Sequence, residues 1–218
     1  MKKILFWVTT LLIFISILNE NVSAQENSSM NFKIFGGASF PISDYGATSG
    51  ERAGFASIGY SIMLEGTKYL SQNVNWISSV TISTNGFDNL TLEKSLPNSQ
   101  VNAGSYNSIW ILTGISPETN LSSEIKLYGL VEAGLLFSIF PAIHYYDFYK
   151  GTKNLASQKG ISLAYCLGGG VNINKINVGI RFNAGYPKYK QSFTNGLLDS
   201  REVKLPLMIL QFFIGINL

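Results

Sequence analysis

Apolar side chains recur at every second position of this chain, in runs of about ten residues, and the pattern returns eight times. The clearest case is INKINVGIRFNAGY, where Ile176, Val178, Ile180, Phe182 and Ala184 alternate with Asn177, Gly179, Arg181, Asn183 and Gly185. A period of two belongs to the β-strand, because successive side chains leave opposite faces of a pleated chain. The runs lie near 31–40, 54–65, 74–84, 105–116, 125–140, 161–173, 173–186 and 205–218. Phe32, Ile34 and Phe40 share one face of the first; Ile58, Tyr60, Ile62 and Leu64 share one face of the second. Trp76, Val80 and Ile82 mark the outer face of the third. The fourth run is apolar on both faces, so its orientation stays open.

The connections alternate in length. Segments 41–53, 85–104, 141–160 and 187–204 are long and rich in Ser, Asn, Gly, Asp and Lys. Segments 66–73 and 117–124 are shorter, and Asn174-Lys175 reads as a tight hairpin turn. Eight such strands can close in two ways. A soluble barrel turns its apolar face inward, and a membrane barrel turns it outward. The polar face here is Ser, Gly, Asn and Ala rather than Lys and Glu, and the apolar face of the last run is unbroken from Met208 to Leu218. Charged residues make up only 13% of the chain, against about 25% in ordinary soluble domains. The expected fold is therefore all-β: an eight-stranded antiparallel transmembrane β-barrel with long external loops and short periplasmic turns. An even strand number puts both termini on the periplasmic side.

The first residues read as an export signal. Lys2 and Lys3 precede an apolar stretch at 4–18, and Val22-Ser23-Ala24 is small or apolar at the positions that matter for cleavage. The stretch is shorter than the roughly 20 residues a spanning helix needs. The expected division is a cleavable signal peptide at 1–24 and a barrel domain at 25–218. A formal charge of +3 is too weak to point to nucleic acid. The single cysteine, Cys166, excludes an intramolecular disulfide.

The strand EAGLLFSI, the hairpin LGGGVNINKINVGIRFNAGY and the segment LQFFIGINL resemble those of small outer-membrane β-barrel proteins. The likeness is to OmpA/OmpX-type eight-stranded barrels and to the related porin-family and PorT-like barrel domains. It covers nearly all of residues 25–218. One departure is Leu218, where many such barrels end in an aromatic residue; Phe212 and Phe213 lie nearby. The resemblance implies a bacterial outer-membrane location and a non-enzymatic role, either structural in the envelope or in surface interaction. The alternative is a small pore, or a PorT-like accessory of a protein-secretion system. The implied partners are outer-membrane lipids, the barrel-assembly machinery during biogenesis, and a surface or secretion-system protein. No cofactor is implied.

An eight-stranded barrel is just wide enough for side chains to fill it, so the interior is expected to be a packed polar core. Buried charges there must be paired. Glu132 and Arg181 share the inward parity and are expected to form an ion pair, with Asn177 and Asn183 in the same polar lining. Lys33 and Glu65 are a second expected pair, near the periplasmic mouth. Cys166 falls on the same side as an inert thiol. Gly168-Gly169-Gly170 lacks the Lys-Ser/Thr of a phosphate loop and is expected to relieve crowding in the lumen or to let the strand bend.

His144 is the only histidine, which excludes a multi-histidine metal site. It stands in PAIHYYDFYKG with Tyr145, Tyr146, Phe148 and Tyr149, in an external loop. Such a cluster serves as an interfacial aromatic belt and loop packing, or as a contact surface for a partner or glycan. Lipid A deacylases of similar size carry a His-x-Ser arrangement; here Tyr145 and Tyr146 follow His144, so no enzyme is expected. Asn27-Ser28-Ser29 and Asn89-Leu90-Thr91 match a glycosylation acceptor pattern that carries little weight in a bacterial envelope.

Overall fold

The computed structural model describes residues 30–50, 53–71, 73–96, 98–149, 151–191 and 201–218. The export segment at 1–24 and the Asn27-Ser28-Ser29 pattern lie outside these residues. In chain order the strands are β1 (Asn31–Ile42), β2 (Ala56–Ser71), β3 (Val74–Phe87), β4 (Ser99–Ala103), β5 (Tyr106–Asn120), β6 (Ile125–Phe140) and β7 (Ile143–Asp147). Then come β8 (Gly151–Leu155), β9 (Gln158–Ile173), β10 (Ile176–Gly185), β11 (Lys188–Gln191), β12 (Arg201–Lys204) and β13 (Leu207–Asn217). A short helix, α1 (Asn89–Ser95), follows β3.

Eight strands close an antiparallel barrel in the order β1-β13-β10-β9-β6-β5-β3-β2. The period-two pattern dictates this. Each strand has one mainly apolar face, its few outward polar side chains pairing with one another as Ser78–Thr113 and Thr84–Asn107, and only closure removes the exposed strand edges of an open sheet. The shortest barrel strand has 10 residues, enough for the roughly 9–11 a tilted spanning strand requires. Closure runs through β1 and β13, where Lys33 faces Asn217 and Ile42 faces Met208. The two ends of the barrel chain therefore meet at one rim. The β2–β3 connection and the turns at 121–124 and 174–175 share that rim, and the long connections rise from the other. Asn174 takes a left-handed φ of 55° at the tightest turn, a conformation Asn tolerates.

The outward faces are apolar. Ile58, Tyr60, Ile62 and Leu64 of β2, Val131 and Leu135 of β6, and Phe212, Ile214 and Ile216 of β13 are all exposed on the outer wall. The orientation of β5, ambiguous in the sequence, is settled by its ladders. Ile111 lies opposite Val80 and Leu135 on the outside, which turns Tyr106, Ser108, Trp110 and Leu112 inward. The interior is consequently less polar than expected. Trp110, Leu136 and Ile209 fill the half nearer the long connections, and Phe35, Met63 and Phe213 form a second apolar patch. Ala184 keeps the outward parity yet is fully buried; its ladder neighbours are the larger Tyr165 and Met208.

Two further differences concern the connections. Strand β2 continues to Ser71 and β3 begins at Val74, so the connection expected at 66–73 is much shorter. Ladder pairs Thr67–Ile77, Lys68–Trp76 and Tyr69–Asn75 carry the strand past the point where its apolar alternation lapses. Strand β5 similarly runs through Glu118, paired with Tyr128. The long connections also fold by themselves: β4, β7 and β8 make a three-stranded sheet, and β11 and β12 a hairpin.

Gly170 has a packing reason. A Cβ there would stand 2.2 Å from the Val178 carbonyl oxygen and 2.7 Å from Tyr128 Oη, and one at Gly179 would stand 2.6 Å from the same hydroxyl. The Tyr128 side chain reaches across both glycines. Overpacking a filled interior costs about 1–3 kcal/mol. Gly170→Val should therefore lower the temperature at which the detergent-folded barrel loses its compact, fast-migrating form on unheated gels; Gly36→Val, where a Cβ meets nothing within 4 Å, should shift it less.

Candidate functional site

Two regions concentrate chemistry-bearing side chains: the barrel interior and the sheet built from the long connections.

In the interior, β10 delivers Arg181, β6 Glu132, β2 Glu65 and β1 Lys33. The ladder places Arg181 opposite Gly168, and a Cβ at Gly168 would stand 3.0 Å from Arg181 Cγ. The absent side chain leaves the space that the arginine stem occupies. Arg181 Nη1 donates to Glu132 Oε2 at 2.8 Å, and its Nη2 donates to Glu65 Oε2. Lys33 Nζ lies 3.2 Å from Glu65 Oε1 and 5.6 Å from the centre of the Tyr128 ring. Ser79 Oγ donates to Glu132 Oε1 at 2.8 Å. The sequence suggested two separate pairs. The structure joins them into one chain of alternating sign, with Arg181 as the bridge. Two carboxylates face two cations, which is the balance a low-dielectric interior requires.

Asn183 and Asn177 stand apart from this cluster. Asn183 donates to Gln211, whose own amide donates to Ser61 Oγ at 2.6 Å and Ser83 Oγ at 2.9 Å. Asn177 donates to Asn217 Oδ1 at 2.8 Å, close to the turn-side rim. Gln211, Ser61, Ser79 and Ser83 were not among the sequence candidates. The available signal was Gln211 itself, a long amide in the middle of the inward parity of β13, between Ile209 and Phe213.

Above these layers the interior becomes aromatic. Tyr45, Tyr106, Phe140 and Tyr189 form a run of ring contacts with centroids 5.0, 5.3 and 5.5 Å apart. Phe87 stacks on Tyr106 at 6.1 Å. Tyr106 Oη donates to the Gly54 carbonyl at 2.6 Å, and Tyr189 Oη shares a 2.8 Å hydrogen bond with Ser138. Burial pushes the Tyr189 phenol up to about 12, with the Ser138 hydrogen bond acting in the opposite direction. The rings thus close the loop-side mouth as a neutral plug.

The loop sheet has order β4-β7-β8. Gln100, Tyr146 and Thr152 lie side by side across it, as do Asn102, His144 and Asn154. Directly opposed residues share a face, and His144 Nδ1 lies 2.9 Å from Asn154 Oδ1. Tyr145 has the other parity: its hydroxyl meets Ser99 Oγ at 2.8 Å and Asp147 Oδ2 at 3.3 Å. Phe148 and Tyr149 are exposed at the β7–β8 turn, with Tyr149 85% exposed. The five-residue cluster suggested by the sequence therefore divides, with Tyr145 half-buried and the other four on the surface. Helix α1 shields the β4 edge. Glu93 Oε1 accepts from the Val101 N–H at 2.8 Å and Asn89 Oδ1 from the Ala103 N–H at 3.0 Å. Asp88 caps the helix, accepting from the Thr91 N–H at 3.0 Å. Hydrogen bonds from Thr91, side chain first and backbone second, hold the Asp88 carboxyl below its ordinary range. Among the described residues, no group of three His, Cys, Asp or Glu side chains could hold a metal ion.

No protein-family model and no curated protein matches this sequence. Solved structures do. A major outer membrane protein from Thermus thermophilus aligns with TM-score 0.51 at 8% identity, covering 87% of this chain and 100% of that one. Ail, the attachment invasion locus protein of Yersinia pestis, aligns with TM-score 0.44 at 14% identity, covering 89% and 100%. Neisserial surface protein A aligns with TM-score 0.43 at 11% identity, covering 88% and 100%. At such identities the likeness is one of fold. This chain has the fold of the small eight-stranded outer-membrane β-barrels.

Removing one partner of a buried ion pair costs about 3–5 kcal/mol, because the other charge is left uncompensated. Arg181→Ala strands two carboxylates and should lower barrel stability by at least this much in urea titrations of the lipid-folded protein. Glu132→Gln should cost less, since Glu65 still faces both cations. A lowered carboxyl pKa stabilises the fold above the unfolded value and ceases to do so as the pH falls through the folded one. The Asp88 cap should therefore hold α1 at neutral pH and release it in acid, below the usual carboxylate range. Asp88→Ala should remove about 1 kcal/mol at neutral pH, read as faster proteolysis within 88–103 and little change in acid.

Proposed function

We propose that this protein is a non-enzymatic barrel of the bacterial outer membrane whose work is to hold folded loop surfaces at the cell exterior. The observation that carries this reading is the contrast between the two ends of the barrel. The turn-side rim carries turns of two to four residues. The loop-side mouth is filled by the Tyr45–Tyr106–Phe140–Tyr189 rings and bears a three-stranded sheet with α1 against its edge. A barrel that only sealed or stiffened the envelope would have no need of such an ordered superstructure.

In this reading residues 1–24 direct export and are removed. The apolar outer wall meets outer-membrane lipid after insertion by the barrel-assembly machinery. Both barrel ends lie in the periplasm, which places the loop sheet outside the cell. The filled interior, with Arg181 bonded to two carboxylates and the aromatic mouth above it, argues for a supporting role of the lumen over conduction.

Two measurements test this. Biotinylation of intact cells carrying a single cysteine at Tyr149, in a Cys166→Ala background, should label the protein without permeabilisation. Labelling only after permeabilisation would reverse the orientation. In planar bilayers the folded protein should give no resolvable steps, whereas Tyr106→Ala, which opens the mouth, should give small irregular currents. Stable unitary conductance from the unaltered protein would replace this reading with a pore.

A further inference from the structure

We propose that the outer face of the loop sheet is a binding site for uncharged oligosaccharide. The inference rests on the surface-display reading above and names the ligand class of that surface. The face is a regular array. Strands in a sheet stand about 4.8 Å apart, and same-face neighbours along a strand about 7 Å apart. Gln100, Tyr146 and Thr152 form one row, and Asn102, His144 and Asn154 the next. Five of these six side chains, all except Asn154, border a shallow cleft of about 330 Å³.

The composition of the array selects the ligand. A pyranose offers apolar C–H faces and a rim of hydroxyls that both donate and accept. Tyr146, at the centre of its row, gives an exposed aromatic surface for a C–H face. Its orientation is fixed by an edge-to-face contact with Phe148 at 5.5 Å. The Gln100 amide on one flank and the Thr152 hydroxyl on the other each carry donor and acceptor together, which matches vicinal hydroxyls. The His144–Asn154 hydrogen bond holds the second row in place before any ligand arrives. Pre-ordering of this kind lowers the entropy cost of binding.

Charge decides between sugar classes. Among the described residues, those around the cleft include the carboxylate Glu93 and no lysine or arginine. Among the described residues, sulfated or sialylated glycans would meet a carboxylate and no lysine or arginine. A neutral chain meets the same carboxylate without repulsion, together with amide and hydroxyl dipoles and an aromatic ring. A membrane surface is a poor alternative, because two amides, a hydroxyl and an imidazole would lose water without gaining partners.

The test uses the full chain folded in lipid nanodiscs and an array of immobilised neutral gluco-, galacto-, manno- and N-acetylglucosamine oligosaccharides beside sulfated and sialylated counterparts. The expected result is selective binding within the neutral set. Tyr146→Ala should weaken it at least tenfold, Gln100→Ala should weaken it, and Tyr146→Trp should preserve it, all with unchanged gel mobility of the folded barrel. Silence across the array, binding confined to anionic glycans, or equal binding by Tyr146→Ala and the unaltered protein would each overturn the proposal. Capture of a protein partner by this face, with no sugar bound, would also overturn it. Intact-cell labelling at position 149 separates the two failures: label with a silent array removes the sugar proposal alone, and no label removes the display reading.

Discussion

Everything in this molecule follows from one arginine held between two carboxylates inside a tube that is apolar on its outside. Arg181, Glu132 and Glu65 are all essentially buried, and water cannot share their charge as it would at a protein surface. The alternation that turns Ile176, Val178 and Ile180 outward necessarily turns Asn177, Arg181 and Asn183 inward. A strand cannot have one without the other. The interior must therefore neutralise what the outward face imposes on it. It does so with two acids, two bases and a serine, while Gly168 and Gly170 leave room for the arginine stem and for Tyr128. Shifting one strand by a single residue would put Arg181 on the apolar wall and an isoleucine in its place, so this cluster also fixes the register.

The interior changes character along its axis, and the change links packing to function. Toward the turns it holds the ion cluster beside the small Phe35–Met63–Phe213 patch; in the middle it holds the Gln211–Ser61–Ser83 amide and hydroxyl network; at the loop end it is aromatic. The aromatic end supports the loops. Tyr189 belongs to the β11–β12 hairpin yet packs on Phe140 of the barrel, and Tyr45 belongs to the first long connection yet packs on Tyr106. The loop superstructure is thus anchored to the barrel by side chains inserted into its mouth. A rigid scaffold with ordered loops is an economical way to present a recognition surface.

The barrel was readable because its rule is local. Period two needs no knowledge of distant residues, and it located the eight wall strands, the turn at Asn174-Lys175 and the inward parity of Glu132, Arg181, Lys33 and Glu65. What escaped depended on distant partners. Strand β2 persists beyond its alternation because β3 lies beside it, which the residues 66–71 alone do not reveal. The orientation of β5 was open because Trp110 and Leu112 are apolar inside and Ile109 and Ile111 apolar outside. The loop sheet was missed because β4, β7 and β8 have only five residues each, too few to show a period, and β4 is distant in sequence from the pair it joins. The tyrosine-rich loop drew notice by composition, but the separation of Tyr145 from His144 and Tyr146 needed the ladder.

The central claim is that the apolar face looks onto lipid and the polar face into a filled core, and two tryptophans report on it directly. Trp76 stands on the outer wall at 50% exposure, and Trp110 is fully buried inside. Residues 25–218 should be folded into vesicles whose acyl chains carry bromine, once with Trp110→Phe and once with Trp76→Phe. The account predicts strong quenching of Trp76 by the brominated chains and much weaker quenching of Trp110. Equal quenching of both, or stronger quenching of Trp110, would contradict it.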